Sequence, residues 1–177
     1  MNQATGEWTI GFFENFAVYQ CRFWDYESIQ IKKDETVVKL KNNTTRLTLS
    51  LKHKNRASCN IAFGKDNPQK YILCNGKHLP DYPLTDTTPF IDNGYRTDSV
   101  TLTGYLRNPP SSRPFDVSIP DMITGKEEKY QTDIDSQGRF TLRFPVLNSH
   151  NVFIDWGRTT IWSAVEPGET YFLYVDY

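Results

Sequence analysis

The run TVVKLKNNTTRLTLSLK, residues 36 to 52, places apolar side chains at every second position on both sides of an asparagine pair. A repeat of two is the period of a strand, and a helix would need one near 3.6. Asn42 and Asn43 tolerate the positive φ angles that a two-residue hairpin turn requires. Closing the turn there sets Leu40 opposite Thr45 and Val38 opposite Leu47. Val38, Leu40, Leu47, Leu49 and Leu51 then share one face, and Lys39, Lys41, Arg46 and Lys52 take the other. Such a segment can only be one side of a sheet with a dry face and a wet face.

The same alternation recurs along the chain. In ASCNIAFGKDNPQKYILC, a loop centred on Asp66-Asn67 would set Phe63 opposite Lys70, Ile61 opposite Ile72 and Cys59 opposite Cys74. From Val100 onward the pattern is clean. Val100, Leu102 and Leu106 share a parity, as do Phe115, Val117 and Ile119, and Phe140, Leu142, Phe144 and Val146. NVFIDW, TTIWSAV and TYFLYVDY follow, giving about seven short strands with turns every ~8–12 residues, the spacing of a β-sandwich. Residues 8 to 23 are aromatic-rich without a clean period and read as one or two strands and a bend. The chain is therefore expected to be all-β, with two small antiparallel β-domains. Residues 1–78 form an aromatic-rich meander of five or six strands, a partial barrel or a small sandwich. Residues 79–98, rich in Pro, Asp and Thr, are a connector. Residues 99–177 form the sandwich of about seven strands.

Composition narrows the function. Net charge is −1 and the lysines and arginines are dispersed along the chain, so the sequence favours neither nucleic acid nor an anionic membrane. No apolar run approaches the ~20 residues of a membrane-spanning helix. MNQATGEW has neither the basic start nor the apolar stretch of a signal peptide. The three cysteines, Cys21, Cys59 and Cys74, form no C-x-x-C, so neither a thioredoxin-type motif nor a zinc framework is present. Cys59 and Cys74 have two readings: buried free thiols, or a cross-strand disulfide that would require an oxidising compartment.

Candidate sites are few. TDIDSQGRF opens like a calcium loop, with Asp133, Asp135 and Gly138. A helix–loop–helix site needs an oxygen ligand at the fifth position and a glutamate at the twelfth, where this chain has Gln137 and Phe144. A strand follows, so the stretch is expected to be a turn, with Gly138 at a positive φ. His53, His78 and His150 lie far apart with no ligand spacing. The sequons at Asn42 and Asn43 coincide with the expected turn. No nucleophile elbow or phosphate loop appears, and no catalytic, cofactor or metal residue is assigned. Candidate binding residues are aromatic: Tyr19, Trp24 and Tyr26 beside Phe23, and Trp156, Arg158 and Trp162 in VFIDWGRTTIW. Exposed rings on a β-surface can stack on sugars or anchor a protein. Buried, the same rings are core.

The second half carries a resemblance. A V-x-G-like strand at Thr101–Gly104, the hairpin Asp133–Phe140 and the turn Glu166–Thr170 occur in an order similar to that of the N-terminal β-domains of Bacteroidetes TlpA-type, thioredoxin-like exported proteins. More loosely, this half resembles transthyretin-like or carboxypeptidase-regulatory sandwiches. The resemblance implies a non-catalytic spacer or partner-docking region of an exported cell-envelope or periplasmic protein, N-terminal to a thiol–disulfide oxidoreductase domain. The partner would be a protein or that further domain, with no cofactor in this chain. A carbohydrate- or glycan-binding β-module is the alternative, and a redox enzyme acting through Cys59 and Cys74 a third reading.

Overall fold

The computed structural model describes residues 1–74, 97–109, 114–121, 124–156 and 159–177, with backbone only at 155, 156 and 159. The chain divides into two compact units, Met1–Thr88 and Pro89–Tyr177. That division falls in the expected connector, of which all but Thr97 and Asp98 lies outside the described residues.

The first unit is one antiparallel sheet whose strands neighbour each other in chain order: β1 (Ile10–Phe12), β2 (Phe16–Tyr19), β3 (Arg22–Ile31), β4 (Glu35–Asn42), β5 (Thr45–Asn55), β6 (Ser58–Phe63) and β7 (Gln69–Ile72). Among the described residues the expected five or six strands are seven. The sheet curls, because Tyr19 on β2 stacks on Phe63 of β6 at 4.8 Å although three strands lie between them in sheet order. Inside the curl, Trp24, Val38, Leu40, Leu49, Ile61 and Tyr71 form the core. Met1–Gln3 adds to the far side of β7: the Met1 amino group donates to Ile72 O at 2.9 Å and Gln3 N to Lys70 O at 2.9 Å.

Two registers differ from those the sequence predicts. In the β4–β5 hairpin Leu40 faces Leu47 and Val38 faces Leu49, so the turn is Asn43-Thr44, with Asn43 at φ 50°. Asn42 stays in the ladder, and its Nδ2 donates to Phe23 O at 2.7 Å. The slip is of two residues, so the dry face keeps its members. In β6–β7 the slip is of three. Cys59 faces Tyr71 and Ile61 faces Gln69. Cys74 falls past the end of β7, so the juxtaposition of Cys59 with Cys74 does not form, and all three cysteines are free thiols. The predicted register would make Pro68 the first ladder residue, and it has no N–H to donate. The observed one also turns the larger Tyr71 into the core, 5% exposed, beside Phe63.

Among the described residues the second unit has seven strands in two sheets. β9 (Phe115–Pro120), β10 (Glu127–Thr132), β12 (His150–Trp156) and β13 (Thr159–Val165) pair in the order β10-β9-β12-β13. β8 (Asp98–Arg107), β11 (Arg139–Val146) and β14 (Thr170–Asp176) pair as β11-β8-β14, with β14 parallel to β8. The two sheets share one core to which Val100, Leu102, Phe144, Val117, Val152 and Ile154 belong, a sandwich-like arrangement. Phe115 of one sheet stacks on Phe140 of the other at 3.8 Å. Phe140 lies over Gly104, where an added Cβ would sit 2.1 Å from the ring and 2.9 Å from Leu173 O, so only glycine fits.

Candidate functional site

Alternation decides which aromatics are available for contact. On β12, Val152 and Ile154 point into the core, so Phe153 between them points out. Its cross-strand partner is Trp162 on β13, whose neighbour Ile161 packs against the core, with Val165 buried beyond. Trp162 is 73% exposed, and its ring meets Phe153 edge to face at 4.5 Å and 72°. The row continues through Ser118 on β9 to Lys129 on β10, where Lys129 Nζ lies 3.9 Å from Glu127 Oε2. β13 is the edge strand of its sheet. This outer face therefore presents a broad indole propped by a phenyl ring at one edge of the sheet and an ion pair at the other. Such a surface is suited to contact.

The other aromatic candidates go elsewhere. Trp24 is 8% exposed, and its Nε1 donates to Tyr19 O at 3.3 Å. Tyr19 packs against that core through Phe63 and Trp24. Tyr26 packs there too, and its hydroxyl donates to Phe13 O at 2.8 Å. Burial raises the phenol pKa of Tyr19, helped by nearby Tyr71 and Asp66; burial raises that of Tyr26 against the opposing Phe13 bond. Trp24 therefore belongs to the core of the curl, with Tyr19 and Tyr26 partly buried against it, the core alternative for these rings rather than an exposed platform. Phe23 turns the other way and meets Phe16 at 5.2 Å and 87°. The side chain of Trp156 and all of Arg158 lie outside the described residues, as does His78.

Two of the thiols and Asp135 have settings that the structure defines. Burial pushes the Cys21 and Cys59 thiols up, the opposite of an activated nucleophile. His53 faces Cys59 across the ladder, but its Nε2 sits 3.1 Å from Thr36 Oγ1. Asp135 holds a turn: Oδ1 accepts from Gln137 N at 2.8 Å and Arg139 N at 2.9 Å, and Oδ2 from Arg139 Nε at 2.8 Å. Gly138 in that turn has φ 80°. Among the described residues no group of three or more His, Cys, Asp or Glu is arranged to hold a metal. No helix there is long and apolar enough to cross a membrane. An open cleft is lined by Asn2–Thr5, Gln69 and Lys70, and Asn2 Nδ2 donates to Gln69 Oε1 at 2.7 Å there.

No protein-family model matches the chain, and no curated protein matches it.

Proposed function

We propose that this chain is a non-catalytic, partner-docking region of an exported cell-envelope protein, placed before a thioredoxin-like thiol–disulfide oxidoreductase domain. One observation carries the docking part: Trp162 stands 73% exposed on an edge strand, supported by Phe153. An extended segment of a protein partner adds to the outer edge of β13 through main-chain bonds and buries the indole as its anchor. The envelope and oxidoreductase parts rest on the turns Asp133–Phe140 and Glu166–Thr170. Photo-crosslinking from position 162, in the cell that makes the protein, tests docking. A discrete protein adduct from position 162, absent from Thr48 on the other unit, is the expected result. No protein adduct at 162 would overturn it.

The same exposure favours a second reading, since a bare indole also stacks on sugar rings. Quenching or enhancement of tryptophan fluorescence by soluble oligosaccharides, lost in Trp162→Ala, would replace the protein partner with a glycan. For the compartment, thiols are counted after passage through an oxidising one. Formation of a Cys59–Cys74 bridge there would require β7 to leave the register described above.

A further inference from the structure

Lys32 and Lys33 are separated from Lys52, Lys54 and Arg56 by some twenty residues of sequence, which is why the charge looks dispersed. Folding brings them together. β3 and β5 both run antiparallel to β4, so the β3–β4 and β5–β6 turns lie at the same end of the sheet. Ile31 pairs with Thr36 and Thr36 with Leu51, putting Lys52 within two strands of Ile31. All five cationic side chains are exposed, and the opposing charges there are Asp34 and Glu35, the latter accepting from Ser50 Oγ at 2.5 Å. At the same end Ile31 is 82% exposed and Ile29 51%. They share the parity of buried Val38 and Leu51, on the face opposite Lys52, and are exposed because β2 pairs only with Arg22–Asp25 and leaves the later part of β3 uncovered on that side.

We propose that this end of the first unit seats on an anionic lipid bilayer, with Ile29 and Ile31 entering the interface and the lysines meeting the headgroups. Charge alone would fit any polyanion. The two isoleucines select among them, because branched aliphatic side chains neither stack on bases nor hydrogen-bond to sugars, and only an apolar medium rewards their transfer out of water. Lysines around such a wedge gain from a negative surface potential within a Debye length.

The test is co-sedimentation of the full chain with phosphatidylcholine vesicles, with and without phosphatidylglycerol. Binding is expected only when phosphatidylglycerol is present, and it should weaken as salt rises. Ile29→Ser/Ile31→Ser and Lys32→Glu/Lys33→Glu should each lower partitioning by at least about tenfold. Lys32→Arg/Lys33→Arg should retain it. Thermal unfolding followed by circular dichroism verifies that each variant is folded, as expected for exposed positions. Absence of binding to the anionic vesicles overturns the proposal. So does binding that survives the isoleucine substitutions, the outcome expected if the patch takes a soluble polyanion such as heparin.

Discussion

Gln20 and Cys21 form the two-residue loop between Tyr19 and Arg22, and both hold positive φ, 51° and 53°. Neither side chain suits that region, which costs an ordinary residue on the order of 1–2 kcal/mol. Cys21→Gly is therefore expected to raise stability by about 1 kcal/mol, read as a higher denaturant midpoint at unchanged slope. Gly104 is the reverse case. Gly104→Ala would drive a methyl into Phe140 and the Leu173 carbonyl, costing about 1–3 kcal/mol in the same measurement. At this scale the sequence is partly legible. IWSAV alternates, so an outward Trp162 follows from in-facing Ile161 and Val165. Trp24 sits in a stretch where nearly every residue is aromatic or polar without period, and only the pairing of Ala17 with Trp24 reveals that it faces inward.

Turns decide how much of each element could be foreseen. The DSQG turn was readable because its chemistry is local: Asp135 and Gly138 satisfy each other's neighbours within a few residues. Burial alone would raise the Asp135 carboxyl, but the Arg139 and Gln137 hydrogen bonds outweigh it and hold the pKa below its ordinary 3.8. A depressed carboxylate stabilises the fold above its unfolded pKa and loses that contribution as pH falls through the folded one. The parent should thus lose more stability than Asp135→Asn between about pH 5 and 2, measured as denaturant midpoints across that range. The β6–β7 register was not legible, because Asp66-Asn67 looks like a complete turn while Pro68 and the bulk of Tyr71 extend the loop beyond it. The cationic end of the first unit was hidden for a related reason. Strands that return to the same edge gather residues that the linear chain keeps apart.

Each unit has its own core cluster. Leu40→Ala, at a side chain 0% exposed, should destabilise the first unit by about 2–5 kcal/mol. Hydrogen exchange is the readout: protection should fall across β3–β6 and stay unchanged across β8–β14. A uniform loss in both would mean the two cores unfold as one. The all-β class and the division into two units follow from period and punctuation. Which strands of the second unit pair does not, since β8 has partners β11 and β14, and the sequence gives no local sign of either.

The topology also has a history in time. Strands of the first unit pair with the strand just made, so its sheet can zip as the chain emerges, and only the Met1–Gln3 staple waits for residue 72. β8 is different, because one edge of its ladder belongs to β14, which begins at Thr170. At ~5–20 residues per second, a ribosome leaves that apolar strand half-paired for several seconds. The second half of the chain is thus where a chaperone would be needed during synthesis, and where a slow ribosome would be most costly.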